Sequence, residues 1–390
     1  MSRAAREEER PGAVGLWLAG AAGNVSATVA VGLAALRRGL IPPVGLATEH
    51  PPLDAVGLVP LDQLVLGGHE LAARRPSETA RCLAGADHLF DPALVQAVQE
   101  DLAAFDADVR PGVASLRPGD ADGPARVAAI QQDLRAFGVR HGLRRLVVVN
   151  VTSTEPHPER PLPESLDELR AAIQRGAEIP ASVLYAYAAL DMGAAYVNFT
   201  PSVGSALPAL EALAEQRRTV HAGRDGKTGE TLVKSVLAPL FAIRQLRVLS
   251  WFGQNILGNE DGRSLKEPAR RAAKTRSKGG VVPAILGYDL DSQVGIDYVR
   301  PLGDWKVAWD HILFEGFLGT RMTAQILWQG ADSILAAPLV LDLVRLVDLA
   351  LRRGEVGVLS HLAVFFKDPL RCAEHRLDRQ FDLLLAHLRE

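Results

Sequence analysis

The sequence predicts an α/β protein: a doubly wound, mostly parallel sheet into which a separate α+β unit is inserted. Three observations carry this. In the first half of the chain, apolar runs that end in small polar residues alternate with stretches of helical period, the order that a parallel sheet with crossover helices produces. After His221 the texture changes to glycine turns, an amphipathic stretch and several β-like runs. A long apolar helical pattern then returns over 334–351.

Residues 13–19 form an apolar run ending in Gly20-Ala-Ala-Gly23, and 25–36 carry Ala, Val and Leu at helical spacing before Arg37-Arg38-Gly39. This is a strand, a glycine turn and a helix. Such a turn lets the backbone approach a pyrophosphate and aims helix N–H groups at it, with Asn24 or Ser26 available as the cap. Gly20 and Gly23 meet only part of the GxGxxG spacing, so on this signal alone an ordinary tight turn is an equal alternative. For the acidic residue that holds a ribose in such folds, Glu49 and Asp54 are candidates in a Pro-rich loop, and the role is left unassigned. Helical patterns follow over 92–105 and 125–137. Residues 144–151 read as a buried strand ending in Asn150-Val-Thr-Ser-Thr154, polar residues placed where doubly wound sheets bind ligands or where a helix start is capped. A helix over 182–192 leads to a strand over 195–199 with Asn198 and Thr200 at its end. Beyond a glycine turn over 223–229, residues 231–246 have the period of an amphipathic helix, and the β-like runs include 294–299 and 322–328. The apolar helix over 334–351 is interrupted early by Pro338 and closed by Arg352-Arg353-Gly354.

With 390 residues, 48% of them hydrophobic, and no apolar run near the length of a bilayer span, the chain can bury a large core in about two domains. Net charge is −3 with acids and bases interspersed, which gives no basic face for nucleic acid and no polybasic membrane patch. Small-molecule chemistry is the expectation. Cys82 and Cys372 sit far apart in no CxxC pattern, which suggests neither a disulfide framework nor a thiolate metal site and points to a reducing, cytoplasmic setting. The N-terminal residues carry both signs of charge and are unlike a signal peptide. The ten histidines form no HxxxH or HxH spacing, so no metal site is predicted. Neither GxSxG nor a P-loop appears.

Gly223-Arg-Asp-Gly-Lys-Thr-Gly229, Asn255-Ile-Leu-Gly-Asn-Glu-Asp-Gly262, Arg270-Arg-Ala-Ala-Lys-Thr-Arg-Ser-Lys278 and Gly303-Asp-Trp-Lys306 follow one another. Short polar segments rich in glycine and lysine suit a site that holds a phosphorylated polyol and stabilises developing oxyanions. Together with Val14-Gly-Leu-Trp-Leu-Ala-Gly-Ala-Ala-Gly-Asn24, Tyr196-Val-Asn-Phe-Thr-Pro201, Ala331-Asp-Ser-Ile-Leu-Ala-Ala-Pro338 and Phe366-Lys-Asp-Pro-Leu370, this order resembles the myo-inositol-1-phosphate synthase (inositol-3-phosphate synthase) family over most of the chain. Members turn glucose 6-phosphate into inositol 1-phosphate on a bound NAD.

The resemblance implies a Rossmann-like NAD-binding domain (1–222), an inserted α+β catalytic and oligomerisation domain (223–333), and C-terminal helices (334–390) returning to the first. It implies catalytic roles for Lys274, Lys278, Lys306, Lys367, Asp225, Asn255, Asn259, Asp261, Asp304 and Asp332. Lys274 and Lys367 are expected near the reacting C5 oxygen, and Lys278 and Lys306 nearer the phosphate and C1 oxygen. For NAD it implies Gly20, Ala22, Gly23, Asn24, Val25, Asn150, Thr152, Ser153, Thr154, Asn198, Asp225, Lys227 and Thr228. Lys227 and Lys234 lie at the start of a helix whose N-terminus can hold an anion, though Lys234 equally suits its solvated face. The resemblance leaves a divalent cation or ammonium beside the phosphate open, and it implies a homotetramer. Leu232 and Trp305 stand where the family often has lysine and serine, so a related cyclase or an NAD-dependent dehydrogenase on another sugar phosphate, or a non-catalytic NAD-binding protein, are the alternatives.

Overall fold

The computed structural model describes residues 12–53, 56–156, 158–259, 262 and 280–389. Its larger sheet is built from β1 (Val14–Ala19), β2 (Leu64–Glu70), β3 (Val109–Pro111), β4 (Arg145–Asn150), β5 (Ala195–Asn198), β6 (Val220–Gly223) and β11 (Gly357–Val358). All neighbours are parallel, in the order β11-β6-β5-β4-β1-β2-β3. The central strands are buried on both faces, so their sequences are continuous apolar runs rather than alternating ones. Side-chain alternation still divides them: Leu16 and Leu18 join one core and Trp17 and Ala19 the other.

Helices cover both faces. On one lie α5 (Gly123–His141), α7 (Ala181–Asp191) and α8 (Pro208–Arg217), and on the other α1 (Asn24–Arg37) and a 22-residue helix, α11 (Asp332–Arg353). α11 is buried on almost every side from Val340 to Ala350. Its acidic residues are therefore paired: Asp342 accepts from Ala47 N (2.7 Å) and Thr48 N (3.0 Å), and Asp348 lies between Arg145 and Arg352. Pro338 does not interrupt this helix as its sequence suggests; the helix starts at Asp332, and Pro338 sits inside it.

Between β6 and β11 the chain builds a second sheet, order β10-β9-β7-β8, from β7 (Arg247–Leu257), β8 (Asp291–Tyr298), β9 (Trp305–Glu315) and β10 (Arg321–Ala331). One face packs on α9 (Gly229–Ile243) and α10 (Val281–Leu286) through Phe241, Trp251, Val282 and Ile312. On and beside this unit Trp309, Leu327, Val236 and Ile243 are exposed. The helix expected over 92–105 is two, α3 (Pro92–Ala97) and α4 (Gln99–Ala107), separated at Val98. The chain closes on α2 (Pro76–Gly85) beside α1, α6 (Leu166–Gln174) beside α8, and a C-terminal α12 (Leu377–Arg389). Among the described residues no helix is long and apolar enough to cross a membrane.

Candidate active site

β1 and β4 are adjacent and lead to connections on opposite sides, which opens a crevice at their carboxyl ends. The turn after β1 is held by Gly20 N and Ala21 N, which donate to His69 O at 2.9 and 3.0 Å. Neither Asn24 nor Ser26 caps α1 as expected. Gly23 is the N-cap and has no side-chain capping bond, Ser26 Oγ turns back to Gly20 O (2.8 Å), and Asn24 Nδ2 reaches out to Asp304 Oδ1 (2.8 Å). The first turn of α1 thus lacks a side-chain cap, and Gly23, Asn24 and Val25 line the crevice. That arrangement fits the pyrophosphate of a dinucleotide.

A cavity of about 700 Å³ extends from this turn and is bordered by Gly20, Ala22, Asn150, Thr152 and Ser153. Asn150 Oδ1 accepts from Thr152 Oγ1 (2.8 Å), and buried Asn198 Oδ1 accepts from Thr200 Oγ1 (2.8 Å), so both asparagines shape the turns after their strands. Asn198 lies beneath the surface and borders neither cavity. An acidic residue that the sequence did not single out, Glu70, the last residue of β2, borders this cavity. Its carboxylate accepts from Ala22 N (2.9 Å), Leu71 N (2.8 Å) and Ala72 N (3.0 Å), which ties the glycine turn to the loop after β2. Glu49 is instead paired with Arg345, and Asp54 lies outside the described residues. Arg74, also missed, borders both this cavity and its neighbour.

The neighbouring cavity, about 210 Å³, is where charged residues converge: Asp225, Asp304, Lys306, Asp332 and Lys367, with Thr154, Thr228 and Asn259 at its border. Lys367 Nζ donates to Asp225 Oδ1 at 2.9 Å. The two backbones are also joined, by Lys367 N to Asp225 O (2.7 Å) and by a bridge between Gly226 and Phe366. Residue 226 must be glycine here, because a Cβ would enter the ring of Phe199. On the opposite side Lys306 Nζ pairs with Asp332 Oδ1 at 3.2 Å. Asp304 accepts from Ser333 Oγ (2.6 Å) and N (3.0 Å) as well as from Asn24, and burial pushes its carboxyl above the usual range despite those donors. Lys306 and Lys367 are only 6% and 7% exposed, so both ammonium groups are held by carboxylates rather than by water.

Three further residues singled out in the sequence sit elsewhere. Asn255 is buried on the inner face of β7, where its Nδ2 donates to Glu230 Oε2 at 2.7 Å. Lys227 turns to the C-terminal helix, where its Nζ contacts Gln380 Oε1, and burial brings its pKa down to about 7. Lys234 is not solvated: it is 1% exposed, 2.6 Å from Glu230 and 3.5 Å from Asp310. Asp261, Lys274 and Lys278 lie outside the described residues. One histidine grouping invisible in the spacing does form, away from the cleft. The rings of His361 and His387 stack at 3.6 Å, and His387 Nε2 is 3.0 Å from Glu355.

A doubly wound sheet with an uncapped helix start at its switch point, facing buried lysine–carboxylate pairs, defines a dinucleotide-binding enzyme. The comparisons with known proteins agree. The sequence model of the Myo-inositol-1-phosphate synthase family matches residues 14–389, and the chain belongs to that family. It is 33% identical to inositol-3-phosphate synthase 1 of Bacteroides thetaiotaomicron, over 95% of this chain and 93% of that one. Among solved structures, the inositol-3-phosphate synthase of Caenorhabditis elegans superposes with a TM-score of 0.86 at 24% identity, over 97% of this chain and 85% of that one. A myo-inositol-1-phosphate synthase-related protein from Thermotoga maritima gives 0.77 at 25% identity, over 97% and 99%.

Proposed function

We propose that this chain converts D-glucose 6-phosphate to 1L-myo-inositol 1-phosphate by oxidation at C5, enolisation, intramolecular aldol closure and reduction, with NAD as cofactor. Membership of the family supports this reading. The observation that carries it is the meeting of Lys306 and Lys367, each paired with a carboxylate, in one cavity beside the glycine turn. When bound, NAD would supply a reversible hydride acceptor for C5, so that no net redox results. The first turn of α1, Thr152, Ser153 and Glu70 would hold it.

The protein's own groups must orient the chain of the sugar, move protons and stabilise oxygen anions. Lys367, fixed by Asp225, is assigned to the C5 oxygen, where an enolate develops after the C6 proton leaves. Lys306, fixed by Asp332, is assigned to the phosphate and the C1 oxygen, where closure creates an alkoxide. Lys274 and Lys278 complete the two pairs in the same reading. Asp304 holds the segment before Lys306 against Asn24. The reading divides the chain into an NAD-binding unit (1–222), a catalytic and oligomerisation unit (223–333) and returning helices (334–390). Exposed Leu327, Trp309 and Ile243 support burial of the second unit in a homotetramer, and the two free cysteines suit the cytoplasm.

The test is to incubate the protein with NAD and glucose 6-phosphate and identify the phosphate ester by NMR while following absorbance of NADH. Inositol 1-phosphate without accumulated NADH is expected. Stoichiometric NADH would select a net dehydrogenase instead, and tight NAD binding with no turnover of any hexose phosphate a non-catalytic protein.

A further inference from the structure

The segment that opens β9 and carries Lys306 meets a turn of the larger unit, where Asp87 receives it. Asp87 lies in the turn between α2 and α3 and contacts three consecutive residues. Its backbone carbonyl accepts the indole N–H of Trp305 at 3.0 Å. Its carboxylate lies near the backbone N–H of Asp304, which favours the ionised form. The same carboxylate lies against Gly303, whose φ of 58° and ψ of −131° suit glycine, and where any Cβ would collide with Asp87 Oδ1. From the other side, Asp304 is held by Asn24 of the dinucleotide turn and by Ser333 at the start of α11. The next residue but one after Asp304 is Lys306, paired with Asp332 in the cavity.

We propose that Asp87 and Trp305 are positioning residues: a clasp that fixes residues 303–306 to the turn between α2 and α3 and so sets the Lys306 ammonium relative to the dinucleotide turn. The proposal rests on the functional reading above, in which Lys306 acts on the sugar phosphate. Trp305 is 37% exposed and belongs to none of the hydrophobic cores, so its N–H contact rather than its bulk distinguishes it. Burial pushes the Asp87 carboxyl above its usual range, and the Asp304 N–H and then the nearby Arg74 charge act against that by favouring the ionised form. A displacement of Lys306 by about 1 Å is enough to cost on the order of 100-fold in rate.

Three variants test this. Trp305→Phe keeps a ring and removes the N–H, Asp87→Ala removes the carboxylate, and Asp87→Asn keeps an oxygen that can accept from Asp304 N. The readouts are kcat/KM for glucose 6-phosphate, Kd for NAD by titration, hydrogen exchange at the Asp304 amide, and Tm. Trp305→Phe and Asp87→Ala are expected to lower kcat/KM about 10- to 100-fold with Kd for NAD and Tm near wild type, Asp87→Ala is expected to speed exchange at Asp304, and Asp87→Asn to restore most of the rate. Unchanged kcat/KM in Trp305→Phe and Asp87→Ala overturns the clasp, as does a rate loss that merely follows a collapse in Tm or NAD binding, or one that Asp87→Asn does not relieve. A wild-type protein that turns over no glucose 6-phosphate sinks the functional reading itself, an outcome distinct from wild-type turnover that the variants retain.

Discussion

The two cavities that meet at the switch point are built by different means. Around the larger one, the polar groups follow directly from strand ends: backbone N–H groups of the α1 turn, and the side chains of Asn150 and Thr152, which bond to each other two residues apart. Around the smaller one, each ammonium group meets its carboxylate across long sequence separations, 142 residues for Lys367 and Asp225 and 26 for Lys306 and Asp332. A site made of local turns shares its binding among many weak donors. One made of buried ion pairs concentrates function in a few side chains, because removing one partner leaves the other charge without compensation.

The contrast breaks most sharply at Lys367. Lys367→Ala is expected to lower turnover by about 10²–10³-fold or more, the range for loss of one oxyanion-stabilising donor, while leaving the Kd for NAD near wild type. Product formation and a separate NAD titration check this; a variant that keeps full turnover would break the assignment of this cavity to the chemistry. Gly226→Ala should act through the same pair indirectly. Its methyl group must displace the Phe199 ring, so a loss of about 1–3 kcal/mol in denaturant stability is expected, with turnover falling because the Asp225–Lys367 bridge shifts.

On the other side of the comparison, Glu70→Gln should raise the Kd for NAD about 10-fold, since loss of charge-assisted acceptance weakens the turn by about 1–2 kcal/mol. kcat at saturating NAD should stay near wild type. If kcat fell instead while Kd held, the two cavities would not be functionally separate.

The same difference explains what could be read from the chain. The strand, turn and helix from Val14 to Arg37 are contiguous, so their pattern of apolar run, glycine and helical period survives in the sequence. Asp304 and Lys306 share one segment and were legible together. Glu70 was not, because β2 contains Gly67 and Gly68, which read as a turn rather than a strand. Gly68 packs against the backbone of Leu18, a tertiary contact that spacing does not reveal. Lys227 and Lys234 look alike at a helix start, yet one faces α12 and the other Glu230 and Asp310; which way each points depends on what α9 is packed between. Asn255 could be recognised as a polar residue in an apolar strand, but only the seating of β7 on α9 turns it toward Glu230.

The smallest effect lies outside both cavities, at the stacked pair His361 and His387. Burial, then the neighbouring His387 and Arg353, bring the pKa of His361 down to about 3; Glu355, bonded to His387, is the acidic group of the cluster. In the unfolded chain a histidine titrates near 6.5. Between these values the unfolded state binds a proton that the folded state does not, so stability falls as pH drops from about 6.5 toward 3 and is flat above 6.5 with respect to this group. His361→Phe preserves a stacked ring and removes the titration. The difference in denaturation midpoint between pH 7.5 and pH 5 should therefore be smaller in the variant than in the parent, while activity at pH 7.5 is unchanged because neither ring borders the cleft. An equal pH response in both proteins would place the acid sensitivity elsewhere, at His221, whose fully buried ring is carried by β6 and whose pKa burial also brings down, to about 4.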